Sequence, residues 1–133
     1  MAETIRKVLF CGSRFWTDRQ LVWQELALLP PDVIIVHGKC PVGGLDAIVN
    51  TLARQLYMTV RPYPAEFDRL GPAAGPLRNQ RMLDEEHPDK DGILIDRVYA
   101  FHFDERLGRG TRDMITRTRA VAIPEKIIIK HPG

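Results

Sequence analysis

The sequence predicts a single α/β domain over residues 1–133: a three-layer sandwich built on a five-stranded, mostly parallel sheet in flavodoxin-like or half-Rossmann order. Three observations carry this expectation. Short unbroken apolar runs suit strands buried on both faces. Stretches with apolar residues at helical spacing alternate with those runs. Four of the connections are marked by glycine: Gly12-Ser13-Arg14, Gly38 with Gly43-Gly44-Leu45-Asp46, Gly71 through Gly75 to Asn79, and Gly108-Arg109-Gly110-Thr111.

Val8-Leu9-Phe10-Cys11 forms the first run and Gly12 closes it. Thr17 is the expected N-cap of a helix in which Leu21, Val22, Glu25, Leu26 and Leu29 recur, and Pro30-Pro31 stop it. Val33-Ile34-Ile35-Val36 is the second strand. A helical stripe through Leu45, Ile48, Val49, Leu52, Ala53 and Leu56 leads to a third strand, Met58 to Tyr63. Pro64 to Pro76 reads as a loop and Leu77 to Glu86 as a helix, followed by a solvated turn from Asp89 to Gly92. Val98 to Phe103 is the fourth strand, Thr111 to Ile123 the fourth helix, and Lys126 to Lys130 the fifth strand. Right-handed crossovers then place every strand's carboxyl end on one edge of the sheet.

Composition narrows the function. With 44% hydrophobic and 27% charged residues, the chain is that of a folded protein. A net charge of +2, from 19 Lys and Arg against 17 Asp and Glu, argues against nonspecific nucleic-acid binding, which needs a basic footprint. No stretch approaches the length of a membrane span and the first seven residues lack a signal-peptide core, so a cytoplasmic location without membrane contact is expected. Cys11 and Cys40 have no CxxC spacing and no histidine at ligand spacing; reduced thiols, no metal and no resident cofactor are expected.

In an open α/β sheet a ligand binds beyond the strand carboxyl ends where strand order reverses. Gly12, Ser13 and Arg14, the Gly75, Arg78 and Asn79 segment, and Gly108, Gly110 and Thr111 should converge there. Neither GxGxxG nor a Walker A lysine is present, which argues against a kinase or an ordinary dehydrogenase. Backbone N–H groups at these turns can still cradle a phosphate, with Arg14 or Arg78 as a bidentate partner.

These motifs, together with His37-Gly38, Gly43-Gly44-Leu45-Asp46-Ala47, Tyr63-Pro64-Ala65 and Ala74 to Leu83, resemble the YspA-type branch of the SLOG superfamily across nearly the whole chain, most specifically from Gly71 to Met82. The resemblance implies a Rossmann-like fold that binds a nucleotide or nucleotide-derived ligand, as a sensor or sequestering module. Relatives include the Lonely Guy phosphoribohydrolases and the DNA-processing protein DprA. They make an N-glycosidic hydrolase of nucleoside monophosphates or ADP-ribose-like compounds a second reading, and a nucleic-acid or protein interaction module a third. Arg78 with Met82 is similar to the phosphoribohydrolase helix whose arginine is catalytic. Gly108-x-Gly110-Thr111 matches most of their PGGxGTxxE motif, with Leu107 in the lead-in and Met114 in place of the catalytic glutamate. A thioether can neither stabilise a ribosyl cation nor position water, which argues against hydrolysis. Asp113, one residue early, is the substitute candidate.

Each candidate has a plainer role to set beside the functional one. Asn79 can tie its loop, and Arg78 can pair with Asp84 or Glu85. Thr111 can be a simple N-cap, and Asp46 a favourable first-turn charge or a ribose acceptor. Gly38 ends a strand beside His37, a structural histidine more readily than a base. Trp16, Phe67 and Phe103 can stack on a base or pack in the core. The arginines at 106, 109, 112, 117 and 119 suit a solvated face. The apolar helix from Leu45 to Leu56 suits a core or an interface, and related proteins often form dimers, so a homodimer or larger homo-oligomer is compatible with the chain.

Overall fold

A computed structural model describes residues 5–38, 43–86, 93, 95–103 and 108–130. Cys40, the turn expected from Asp89 to Gly92, Arg106 and Leu107 lie outside the described residues. Strands β1 (Lys7–Gly12), β2 (Ile34–His37), β3 (Thr59–Pro62), β4 (Arg97–Phe103) and β5 (Glu125–Lys130) form one sheet in the order β3-β2-β1-β4-β5, with every pairing parallel. This is the half-Rossmann order of the two considered. The reversal falls between β1 and β4, so the crevice expected of such a sheet opens above that pair.

Alternation along the central strands divides the core in two. Val8, Phe10, Tyr99 and Phe101 face α1 (Arg19–Ala27) and α2 (Leu45–Gln55), where Val22, Leu26, Ile48 and Val49 cover them. Leu9, Cys11, Val36, Val98 and Ala100 face α4 (Ala74–Glu85) and α5 (Arg109–Ala120), against Met82, Leu83, Met114 and Ile115.

Helix boundaries depart from expectation for identifiable reasons. The α1 cap is Asp18, whose carboxylate accepts from the Leu21 N–H at 3.0 Å, and not Thr17. The span expected as a loop up to Pro76 holds a short helix α3 (Phe67–Leu70), a 3-10 turn (Gly71–Ala73) and the start of α4. Pro76 is the third residue of α4, where the missing N–H is one the helix would leave unbonded anyway. Helix α5 begins at Arg109 behind an N-cap at Gly108, so Thr111 is its third residue and not its cap. It ends before Ile123 because Ala122 turns left-handed (φ 57°), and the Ile123 and Ala122 N–H groups close onto Thr118 and Arg119 carbonyls. Tyr57 (φ 58°) ends α2 in the same way.

At the amino-terminal end of the sheet, Lys7 is fully buried and its Nζ lies 2.9 Å from Glu86 Oε1. Arg61 approaches the same oxygen at 2.6 Å, and the Tyr63 hydroxyl donates to Glu86 Oε2. Burial favours the neutral Glu86 carboxyl, yet the bonds from Tyr63, Lys7 and Arg61 outweigh it and hold its pKa below the ordinary range. This network locks the last turn of α4 to β1 and β3. Among the described residues, no helix is long and apolar enough to cross a membrane.

Candidate functional site

The end of β1 is stapled on both sides by one residue. Ser13 donates its N–H to the Phe101 carbonyl at 2.8 Å, and its carbonyl accepts from the Leu45 N–H at 3.0 Å. Its hydroxyl accepts from the Phe15 N–H at 3.0 Å, closing the turn. The loop is therefore bound at once to β4 and to the first residue of α2. Two glycines permit that closeness. A Cβ on Gly12 would run into the Phe101 carbonyl and the Leu45 side chain, and one on Gly44 (φ 79°) into the Arg14 backbone.

Above this junction lies a cavity of about 620 Å³. Its wall includes Gly12, Ser13, Arg14, Gly38, Asp46, Arg78, Asn79, Gly108, Gly110 and Thr111, so the structure gathers ten of the residues singled out from the sequence at one crevice. Gly75 is not in the wall; it sits one turn before Asn79 on α4, where a Cβ would lie 3.9 Å from Phe67 Cζ. Asp113 is also outside it. Phe15 and Arg109, which carry no ligand motif in the sequence, also belong to the wall. Proximity to Arg14 and to Gly108 in the chain was the available signal for them.

The polar groups divide into those held within the protein and those presented to the cavity. Arg78 does not pair with Asp84 or Glu85. Its guanidinium donates to the Gly38 carbonyl, to the Tyr63 carbonyl at 3.3 Å and to Asn79 Oδ1 at 3.0 Å, bracing the ends of β2 and β3. A Cβ on Gly38 would meet that guanidinium, which would have to shift to accommodate it. Asn79, 2% exposed, directs its amide hydrogens to the Gly110 carbonyl at 3.2 Å and to Asp113 Oδ2 at 2.9 Å, tying α4 to α5. Asp113 also accepts from Arg117 at 2.8 Å. Burial raises its pKa, but the bonds from Arg117 and Asn79 and the nearby Arg117 and Arg78 charges prevail, and the carboxyl is held below its ordinary range. It is thus an ionised brace.

Met114 is fully buried in the core beneath α5, and its position carries no group toward the cavity. His37 is fully buried and bonded through Nε2 to Asn50 Oδ1 at 3.1 Å. Burial, with Asp46 adding to it, pushes the Cys11 thiol well above its ordinary pKa, so the thiolate is suppressed.

The first turn of α5 opens on the cavity. Gly108 caps it without a side-chain bond, and its first turn holds no acidic residue. An α-helix leaves the N–H groups of such a turn without intrahelical partners and concentrates positive potential there. Around the wall, Arg14, Arg78 and Arg109 outnumber Asp46. Positive potential is therefore concentrated at this crevice.

Fold and site together define a class: a small Rossmann-ordered α/β domain with a glycine-lined, cationic crevice at its switch point. The chain belongs to the YspA, cpYpsA-related SLOG family, whose model matches residues 6–70, from β1 through α3. The match stops short of the Gly71 to Met82 segment and of α5. A curated relative, the Gene 61 protein of Mycobacterium phage D29, is 38% identical over 88 residues, which are 59% of this chain and 69% of that protein. No solved structure matches the chain.

Proposed function

We propose that the crevice binds a nucleotide or nucleotide-derived ligand and that the protein works as a sensor or sequestering module. Family membership is consistent with a nucleotide-related ligand. The observation that carries the reading is the first turn of α5, acid-free and without a side-chain cap, at a cavity that the Ser13 and Arg14 loop also lines. A phosphate at that turn receives backbone N–H groups from residues 109 to 111, and Arg14 or Arg109 supplies a guanidinium. A cavity of about 620 Å³ falls within the range that holds a small organic ligand.

Binding is favoured over bond cleavage. Hydrolysis of an N-glycosidic bond requires an acid or base beside the ribose. Met114 is in the core, Asp113 is ionised and engaged by Asn79 and Arg117, and the wall carboxylate Asp46 is largely buried in the first turn of α2.

Thermal unfolding in the presence of nucleoside monophosphates, cyclic nucleotides, NAD and ADP-ribose tests the proposal, with the matching nucleosides as controls. A ligand at about 100 times its Kd adds roughly 2.7 kcal/mol to stability, a rise in Tm on the order of 10 °C for a domain of this size. Shifts that need the phosphate, with the nucleotide recovered intact, are expected. No shift with any of these compounds, or equal shifts with the nucleosides, overturns the phosphate site; release of free base replaces the binding module with a hydrolase.

A further inference from the structure

Phe67 is not held in place by the core. It is 47% exposed, belongs to neither core cluster, and lies on a four-residue helix that contains no buried residue. The two other aromatics with a claim on a planar ligand are accounted for by packing: Trp16 is 1% exposed, with its ring centroid 5.3 Å from those of Phe101 and Phe103. Phe67 instead lines the cavity, and the tip of its ring lies near Gly75, where an added Cβ would stand 3.9 Å from Cζ. From the β1–α1 loop, Phe15 lines the same cavity and is also largely exposed, with the Arg14 guanidinium 4.9 Å from its ring centroid. Both rings stand partly or largely open to solvent inside one concave site, and they lose an unfavourable hydration when a flat apolar surface covers them.

We propose that Phe67 is the stacking platform for the planar ring of the ligand, which rests on the reading of the crevice as a nucleotide site. Helix α3 follows β3 and the phosphate turn of α5 follows β4, at opposite ends of the row β3-β2-β1-β4. Phosphate and ring are thus received by different walls. The amide hydrogens of Asn79 are committed to Gly110 and Asp113, so this residue does not read a base edge. Selection by Phe67 is accordingly by ring area: purines bind better than pyrimidines, through a face that every base possesses.

Isothermal titration with 5′-AMP, 5′-UMP and ribose 5-phosphate decides the matter, using the intact chain, Phe67→Leu and Phe67→Trp. Phe67→Leu should weaken 5′-AMP by about 5- to 100-fold, the range for loss of one base–aromatic stack, while leaving ribose 5-phosphate unchanged. Phe67→Trp should retain the affinity and show fluorescence quenching by 5′-AMP that the unsubstituted protein lacks. Unchanged 5′-AMP affinity in Phe67→Leu overturns the platform. So does an equal loss for ribose 5-phosphate, which marks a distorted cavity. If 5′-AMP and ribose 5-phosphate bind the unsubstituted protein equally, the phosphate site stands and the platform falls. If neither binds, both fall.

Discussion

Placing a negative charge at Gly110 should stabilise the fold and sharply weaken anion binding at the same time. Gly110 is the second residue of α5, and a Cβ built there meets nothing within 4 Å. Its carbonyl accepts from Asn79, a bond through the backbone that a side chain leaves intact. Gly110→Asp removes a helical glycine and puts a carboxylate in the first turn, together worth about 0.5–1.3 kcal/mol of added stability. The same carboxylate repels a phosphate. At a separation of about 6 Å and an effective dielectric of about 20, one pair of like unit charges costs roughly 3 kcal/mol, a loss of about 100-fold in affinity. Gly110→Asn, similar in shape and uncharged, should keep most of the binding. Urea melts and titration with a nucleotide found in the thermal screen measure both effects on the same samples. A folded Gly110→Asp protein with undiminished nucleotide affinity would refute the assignment of the phosphate to α5.

Two further expectations concern the scaffold. Glu86→Ala leaves Lys7 buried without its carboxylate and should cost about 3–5 kcal/mol in urea unfolding, whereas Lys7→Met with Glu86→Leu should recover much of that loss. Because the folded pKa of Glu86 lies below its unfolded value, its contribution is complete above the ordinary carboxylate range and is lost as pH falls through the folded pKa. Acid unfolding should therefore be shallower in the apolar double variant, and an unchanged pH profile would show that other carboxylates dominate. For the adjacent glycines, Gly44→Ala should cost more than about 3 kcal/mol, from a disallowed φ of 79° plus collision with the Arg14 backbone. Gly43→Ala, at φ 101° but in open space, should cost about 1 kcal/mol. Equal midpoints for the two in a urea melt would contradict the close approach of the β1–α1 loop to α2.

The sheet was legible because its central strands β1 and β2 carry short continuous apolar runs that suit burial on both faces, and because glycine and proline punctuate the chain around them. Convergence of the Ser13, Asn79 and Gly110 segments also followed from topology alone, since parallel strands bring their carboxyl ends to one edge. Helix starts were less legible. A proline at the third position of α4 and a Gly108 cap on α5 are compatible with several registers until packing selects one.

What the sequence determined by itself was the alternation of strands and helices, and the list of residues that could meet above β1 and β4. Tertiary structure decided their duties, because a side chain's role depends on which partners lie within hydrogen-bond distance. Arg78, the strongest catalytic candidate by sequence, is turned into a brace by the Gly38 and Tyr63 carbonyls, which lie 40 and 15 residues away in the chain. Lys7 and Glu86 gave no local signal, since 79 residues separate the partners of a buried charge pair. Phe67 and Trp16 are equivalent as letters; only packing shows that one ring belongs to the core and the other to the cavity.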